Sequence, residues 1–237
     1  MKTVLITGAN RGIGLEFARQ YAADGWTVLA CCRTPGQSDA LNKLARQFPD
    51  LVKIYGLDIA DHEQIEELTR VLSSQSAVIN GIDLLINNAG IYPDSYQGSF
   101  GHTDYEMWMK SLRVNTMAPL KMAEAFVTRV ERSQLKTIVT IGTKMGSIAD
   151  NSSGGSYLYR TSKAAVNMVV KNLSIDLKPR GIIAVVLHPG WVKTDLGGAN
   201  ALISAEQSVS GMRKVISRLS PADSGKFLTY DGKDIPW

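Results

Sequence analysis

Cysteine is nearly missing from this sequence: there are two in 237 residues, and they are neighbours, Cys31 and Cys32. Adjacent strand residues point to opposite faces, so no bond between them is expected and a disulfide framework is excluded. Histidine is almost as scarce. His62, His102 and His188 are scattered, no CxxC or HExxH spacing occurs, and no metal site is expected. Apolar runs are short, well below the ~20 residues of a membrane helix. The opening stretch Met1-Lys2-Thr3-Val4-Leu5-Ile6 is too short for a secretory hydrophobic region and carries no small-residue cleavage site. A cytoplasmic protein with no membrane partner is the expectation. One-sided charge is missing too: 26 Lys and Arg against 22 Asp and Glu leave +4, with no basic stripe, so nucleic acid is not expected as a partner.

What is there suffices for a packed core. Hydrophobic residues make up 44% and charged residues 20%, which excludes disorder, and no linker or repeat divides the chain. One domain over 1–237 is expected. Short β-rich apolar runs at 3–7, 27–32, 52–57, 84–87, 137–141, 182–187 and 227–229 alternate with helical patterns. Capping-box spacing marks three helix starts, at Asp61/Gln64, Thr103/Glu106 and Ser204/Gln207. Pro179 with Gly181, and Pro221, mark two helix ends. Strand and helix alternating in this way predict an α/β fold, a Rossmann-type doubly wound parallel sheet of about seven strands with helices on both faces. The stretch 92–101 reads as a polar surface loop.

The first strand runs into Thr7-Gly8-Ala9-Asn10-Arg11-Gly12-Ile13-Gly14, and a helical pattern follows. Glycines there let a pyrophosphate approach the backbone, and the helix start offers free N–H groups and a positive dipole end. The second strand lacks the acidic residue that would bind a ribose 2′-hydroxyl and has Cys32 followed by Arg33 instead. A guanidinium at that point suits a 2′-phosphate, with Arg11 adding a second charge, so NADP(H) is the expected cofactor.

Tyr159 and Lys163 are spaced i, i+4 in 157–172, which reads as a helix, so both share one face. An ammonium beside a phenol favours the phenolate, and the expectation is a tyrosine pKa below its usual value near 10. Tyr157 has only Thr161 four residues on and offers no such partner.

With these motifs the chain resembles the short-chain dehydrogenase/reductase family. TGANRGIG at 7–14 and Asp58 after the third strand are followed by Asn87-Asn88-Ala89-Gly90 and by Asn115 in Arg113-Val114-Asn115. Tyr159-Arg160-Thr161-Ser162-Lys163 and Pro189-Gly190-Trp191-Val192-Lys193-Thr194-Asp195 complete the family order. Gly154-Gly155, the PGWVKTD segment and the stretch 230–237 are similar to the C-factor-like and sniffer-type carbonyl reductases.

The resemblance implies an NADPH-dependent reductase of a ketone or aldehyde, with a small carbonyl or alcohol compound as substrate. The alternative it leaves is a non-catalytic, NADP(H)-binding signalling protein of C-factor type, which would not need the intact Tyr159, Lys163 and Asn115 set. By resemblance, Tyr159 passes a proton to or from the substrate oxygen, Lys163 lowers its pKa and holds the nicotinamide ribose, and Asn115 anchors a relay water. Asp58 binds the adenine amino group, Asn88, Ala89 and Gly90 line the adenosine side, and Thr194 fixes the carboxamide. The implied cofactor contacts are Gly8, Asn10, Arg11, Gly12, Ile13, Gly14, Arg33, Asp58, Ile59, Asn88, Ala89, Gly90, Tyr159, Lys163, Pro189, Gly190, Val192 and Thr194.

One position departs from the family, which has a serine after the fifth strand to bind the substrate carbonyl. Here Ile141-Gly142-Thr143-Lys144-Met145-Gly146-Ser147 stands there. Alignment on the strand end assigns the role to Thr143, and Ser147 takes it if the loop curls differently. The segment 191–203 is expected to fold over the site, with Trp191 and Leu196 as apolar wall. Relatives of this kind occur as monomers, homodimers or homotetramers, the tetramers built through helices near 104–132 and 157–178.

Overall fold

The computed structural model describes residues 1–75, 80–93 and 100–237. Seven parallel strands stand within a residue of where the apolar runs predict them: β1 Thr3–Thr7, β2 Thr27–Cys32, β3 Val52–Gly56, β4 Leu84–Asn87, β5 Thr137–Ile141, β6 Ile183–His188 and β7 Phe227–Thr229. Among the described residues seven α-helices accompany them, α1 Gly12–Ala23, α2 Asp39–Gln47, α3 His62–Ser74, α4 Tyr105–Leu112, α5 Ala118–Glu131, α6 Tyr157–Asp176 and α7 Ala205–Ile216. The strand order is β3-β2-β1-β4-β5-β6-β7, a doubly wound sheet. Successive strands step outward from β1 on one side and from β4 on the other. The β1/β4 junction is therefore the switch point, where a ligand crevice opens at the carboxyl ends of the strands.

Nearly every residue of the inner strands is buried because helices cover both faces, which explains their unbroken apolar runs. On one face Leu5, Leu29, Leu85 and Ile138 pack with Ile65 of α3, Phe126 of α5 and Val170 of α6. On the other, Ile6, Val28, Ile86 and Val185 pack with Phe17 of α1, Leu41 of α2 and Met212 of α7. The adjacent cysteines divide between these cores, Cys31 in the first and Cys32 in the second, both free and buried. Their alternation across the sheet is the reason they cannot pair.

Two predicted helix starts hold. Asp61 Oδ1 accepts from the amides of Glu63 (3.0 Å) and Gln64 (3.3 Å), and Ser204 Oγ accepts from the Gln207 amide (3.1 Å). The third moves by one residue: Asp104, not Thr103, caps α4, its Oδ1 accepting from the Met107 amide at 2.9 Å. A carboxylate is the stronger cap because it also meets the positive helix end. Within the predicted 92–101 loop, 94–99 lie outside the described residues. No helix among the described residues is long and apolar enough to cross a membrane.

Candidate active site

The crevice begins at the end of β1. Thr7 Oγ1 accepts from the amides of both Asn88 and Ala89 at 3.0 Å, and Asn88 Nδ2 donates to the carbonyls of Thr7 (2.9 Å) and Gly8 (3.2 Å). The loop after β4 is thereby tied to the glycine turn. The turn itself demands a bare backbone: a Cβ on Gly14 would lie 2.2 Å from the Gly8 carbonyl oxygen. Helix α1 starts here without a side-chain cap and with no acid in its first turn. By contrast α3, α4 and α7 each carry an Asp or Ser cap and an acidic first turn. The N–H groups and positive dipole end of α1 thus have no capping side chain of their own. Asn10 and Ile13 are half-buried at this turn.

Beyond it, the Leu57 amide donates to the Cys32 carbonyl (2.8 Å), which sets Arg33 and Asp58 beside each other at the ends of β2 and β3. Arg33 is exposed and makes no ion pair among the described residues. Asp58 Oδ1 accepts from the Ala60 amide at 2.9 Å, and Ile59 is buried beneath. Arg11, expected at a phosphate, instead pairs with Asp195 at 2.6 Å, both side chains well exposed. Two charges on loops that meet across the crevice find each other first.

The catalytic candidates converge on the far side of the switch point. Lys163 Nζ donates to the Ile141 carbonyl at 3.0 Å and lies 5.9 Å from the centre of the Tyr159 ring. Tyr92 packs edge-on against Tyr159 at 4.6 Å between ring centres. Asn115 sits in a wide π-turn, Arg113–Met117, the kind of bulge that turns a side chain out of helical register. Its Oδ1 accepts from the Ile91 amide (2.9 Å), while Nδ2 donates to the Ile91 carbonyl (2.9 Å) and to Ser162 Oγ (3.0 Å). The Asn115 side chain therefore bridges the loop after β4 to α6, as a buried amide with good partners must. A Cβ on Gly90 would stand 3.1 Å from Asn115 Oδ1 and 3.5 Å from Lys163 Nζ, so the three share one corner.

Burial decides the titration of this pair, and it corrects the expected direction for Tyr159. Desolvation pushes the phenol well above its usual range; Tyr92 adds to the rise and a hydrogen bond with Thr143 offsets part of it. The same desolvation lowers Lys163 to about 8. Both groups are driven toward their neutral forms, because a site that excludes water penalises either charge.

The rival hydroxyls separate cleanly. Thr143, at the end of β5, is the one hydrogen-bonded to Tyr159. Ser147 points away, donating to the Pro236 carbonyl at 2.6 Å and accepting from the Asp150 amide at 3.1 Å. After β6, Gly190 takes φ +83°, and a Cβ there would strike Ile203 at 2.8 Å. Pro189 is held by Ser208 Oγ on its carbonyl at 2.6 Å. Val192 is buried and bridges to Ile203, which closes 191–203 on itself, and Trp191 Nε1 donates to the Gly197 carbonyl at 2.7 Å. Thr194 turns its hydroxyl inward to the Gly197 amide (3.1 Å) and its methyl toward Gly12. The segment thus meets the glycine turn at Gly12 and Arg11.

Sequence reasoning passed over Thr7, Ser162 and Asn167. The first joins the two crevice loops, the second receives Asn115, and the third donates to the Gly146 carbonyl at 3.1 Å. Asn167 stands four residues after Lys163, and that spacing was the available signal.

A family model described as short chain dehydrogenase matches residues 2–202. The C-signal of Myxococcus xanthus is 42% identical over 156 residues, 66% of this chain and 93% of that protein. Among solved structures, the carbonyl reductase Sniffer of D. melanogaster superimposes with a TM-score of 0.93 at 32% identity, with all of both chains covered. The NADPH-bound carbonyl reductase from chicken fatty liver does so at 0.92 and 36%, covering 100% of this chain and 99% of that one. With the glycine turn, the buried Tyr159 and Lys163 pair and the sheet order all in place, the chain belongs to the short-chain dehydrogenase family.

Proposed function

We propose that this protein reduces a ketone or aldehyde with NADPH, and oxidises the alcohol in reverse, using Tyr159, Lys163, Asn115 and Thr143. The observation that carries the reading is the convergence of the Thr143 hydroxyl, the Tyr159 phenol and the Lys163 ammonium at the switch-point crevice. A dinucleotide fits the residues present. The uncapped start of α1 suits a diphosphate, and the exposed Arg33, without an ion pair among the described residues, suits a 2′-phosphate. Gly8, Asn10, Gly12, Ile13 and Gly14 would hold the diphosphate, Asp58 and Ile59 the adenine, and Asn88, Ala89 and Gly90 the adenosine side. Pro189, Gly190, Val192 and Thr194 would flank the nicotinamide, and NADPH-bound carbonyl reductase from chicken supports the cofactor choice.

When bound, the cofactor supplies a hydride from its nicotinamide ring. This chain's residues supply the rest. Thr143 donates to the substrate carbonyl oxygen and polarises it. Tyr159, kept protonated by burial, delivers its proton to that oxygen as negative charge develops there. Lys163 would hold the nicotinamide ribose, and its ammonium, fixed by the Ile141 carbonyl, would return a proton to the phenolate. Asn115 keeps the loop after β4 against α6 and so fixes Gly90 beside Lys163. Tyr92 beside the phenol and the exposed Trp191 and Leu196 on the overlying segment favour a neutral, partly hydrophobic carbonyl compound. We read 1–237 as one domain because β7 joins the same sheet as β1.

The direct test is NADPH oxidation against a panel of ketones and aldehydes. Tyr159→Phe should lower kcat by at least about a hundredfold while NADPH still binds. An unaltered rate in that variant would exclude the reading. The likeness to C-signal favours a second reading, a non-catalytic NADP(H)-binding signalling protein. Cofactor binding with no turnover across the panel would select it.

A further inference from the structure

The turn that carries Thr143 is gripped from two sides. From α6, three side chains donate to its carbonyls: Lys163 to Ile141 (3.0 Å), Arg160 to Met145 (3.3 Å) and Asn167 to Gly146 (3.1 Å). Gly146 also packs directly on the Lys163 backbone, where a Cβ would fall 2.9 Å from the Lys163 carbonyl carbon. From the other side comes the segment 230–237. Ser147 Oγ, 2% exposed, donates to the Pro236 carbonyl, and the Ala149 amide donates to the Trp237 carbonyl at 3.0 Å. That segment is itself fixed to the sheet. The Ile235 amide donates to the Phe227 carbonyl at 2.8 Å, and the Trp237 and Phe227 rings stack at 5.5 Å. A rigid path therefore runs from β7 through Pro236 and Ser147 to the turn that ends at Thr143.

We propose that Ser147 is a positioning residue: by binding the turn to the Pro236 carbonyl it sets where the Thr143 hydroxyl stands against Tyr159. The inference rests on the catalytic reading above. Its physical basis is that a hydroxyl meant to bind a reacting oxygen loses most of its effect when displaced by about an ångström. The small 144–146 turn has no core of its own and needs anchors at both ends. Among the described residues, the titratable groups against the Tyr159 ring include Tyr92, edge-on, and Lys163 from α6, while the Ser147 hydroxyl is directed to the Pro236 carbonyl.

The experiment compares Ser147→Ala, Thr143→Val and the double variant. Ser147→Ala should bind NADPH within about twofold of the parent and lower kcat for carbonyl reduction roughly tenfold. It should also move the pH profile of alcohol oxidation upward by roughly one pH unit, because the Thr143 bond that lowers the phenol pKa is weakened. On the Thr143→Val background the same change should cost nothing further. An unmoved profile, or a full additional loss in the double variant, would overturn the inference. If Ser147→Ala does not fold, Trp237→Ala loosens the same segment by removing the ring stacked on Phe227, while the Trp237 carbonyl that Ser147 and Ala149 also reach is kept. It should shift the profile in the same direction, and an unmoved profile there overturns the inference equally. A Thr143→Val enzyme with near-normal rate beside an inactive Ser147→Ala would make Ser147 the substrate-contacting hydroxyl and overturn it too. Full activity in Tyr159→Phe is a separate outcome, which removes the catalytic reading itself.

Discussion

The two halves of the crevice are built on opposite principles. The glycine turn and α1 work with backbone: bare N–H groups, an uncapped helix end, and cations, Arg11 and Arg33, that sit exposed in water. The catalytic half works with buried side chains, each held by named hydrogen bonds and stripped of solvent. On the proposed reading the first arrangement would receive an anionic group that must also leave again, and exposed, water-screened charges suit such reversible binding. In the second, desolvation is the largest cause of the shifts at both Tyr159 and Lys163. The contrast shows in the charges themselves. Lys163 is lowered to about 8, whereas the exposed Arg11–Asp195 pair belongs to the class worth no more than about 1 kcal/mol.

The contrast can be broken most forcefully at Lys163. Lys163→Met should lower kcat by roughly a hundredfold or more, yet it should not lower the melting temperature at pH 7, because holding the buried ammonium there costs about 3 kcal/mol. The sign follows from linkage: the folded pKa lies below the unfolded one, so the unfolded chain binds more protons above pH 8 and Lys163 adds stability as pH rises through that range. Cys31, whose thiol is raised by burial, opposes this above its unfolded value of 9.0, so the gain is read between pH 8 and 9. Thermal melts across that interval should rise in the parent relative to Lys163→Met, and parallel curves would contradict the assignment.

A smaller effect is expected at Arg33. Arg33→Asp should weaken NADPH binding by roughly ten- to a hundredfold and favour NADH, the range of one charge-assisted contact. Fluorescence titration with both cofactors measures it, and equal NADPH affinity in the variant would place the 2′-phosphate elsewhere. The smallest effect belongs to Asp195→Asn. Freeing Arg11 should tighten NADPH binding by no more than about fivefold at low ionic strength, with the gain vanishing as salt is added. A salt-independent change would show that the pair is less exposed to solvent screening than its surface position indicates.

Much of the fold was legible in the residues because burial on both faces of a parallel sheet writes itself as apolar runs. The strands differ from expectation by a residue at an end, and one cap moved from Thr103 to Asp104 because a stronger acceptor stood next door. The site was legible where a motif depends on local backbone, as at Gly14 between Gly8 and α1, or on helical spacing, as for Tyr159 and Lys163. It was illegible where partners are distant in the chain. Nothing local announces that Thr7 would hold Asn88 and Ala89, that Asn115 would bridge to Ile91, or that Arg11 would face Asp195. The pKa of Tyr159 was misjudged for the same reason: spacing shows the lysine but not the loss of water, which outweighs it.

By itself, then, the sequence determined the alternation of strand and helix, the glycine turn, the Arg33 in place of an acid and the Tyr159–Lys163 pair. These depend on residue type and short-range spacing, which sterics and helix geometry translate directly into structure. Only the tertiary structure decided between Thr143 and Ser147 as the hydroxyl beside Tyr159. Both stand in one short turn with the same chemistry. What separates them is the packing of α6 on one side and the Pro236 carbonyl, eighty-nine residues away, on the other.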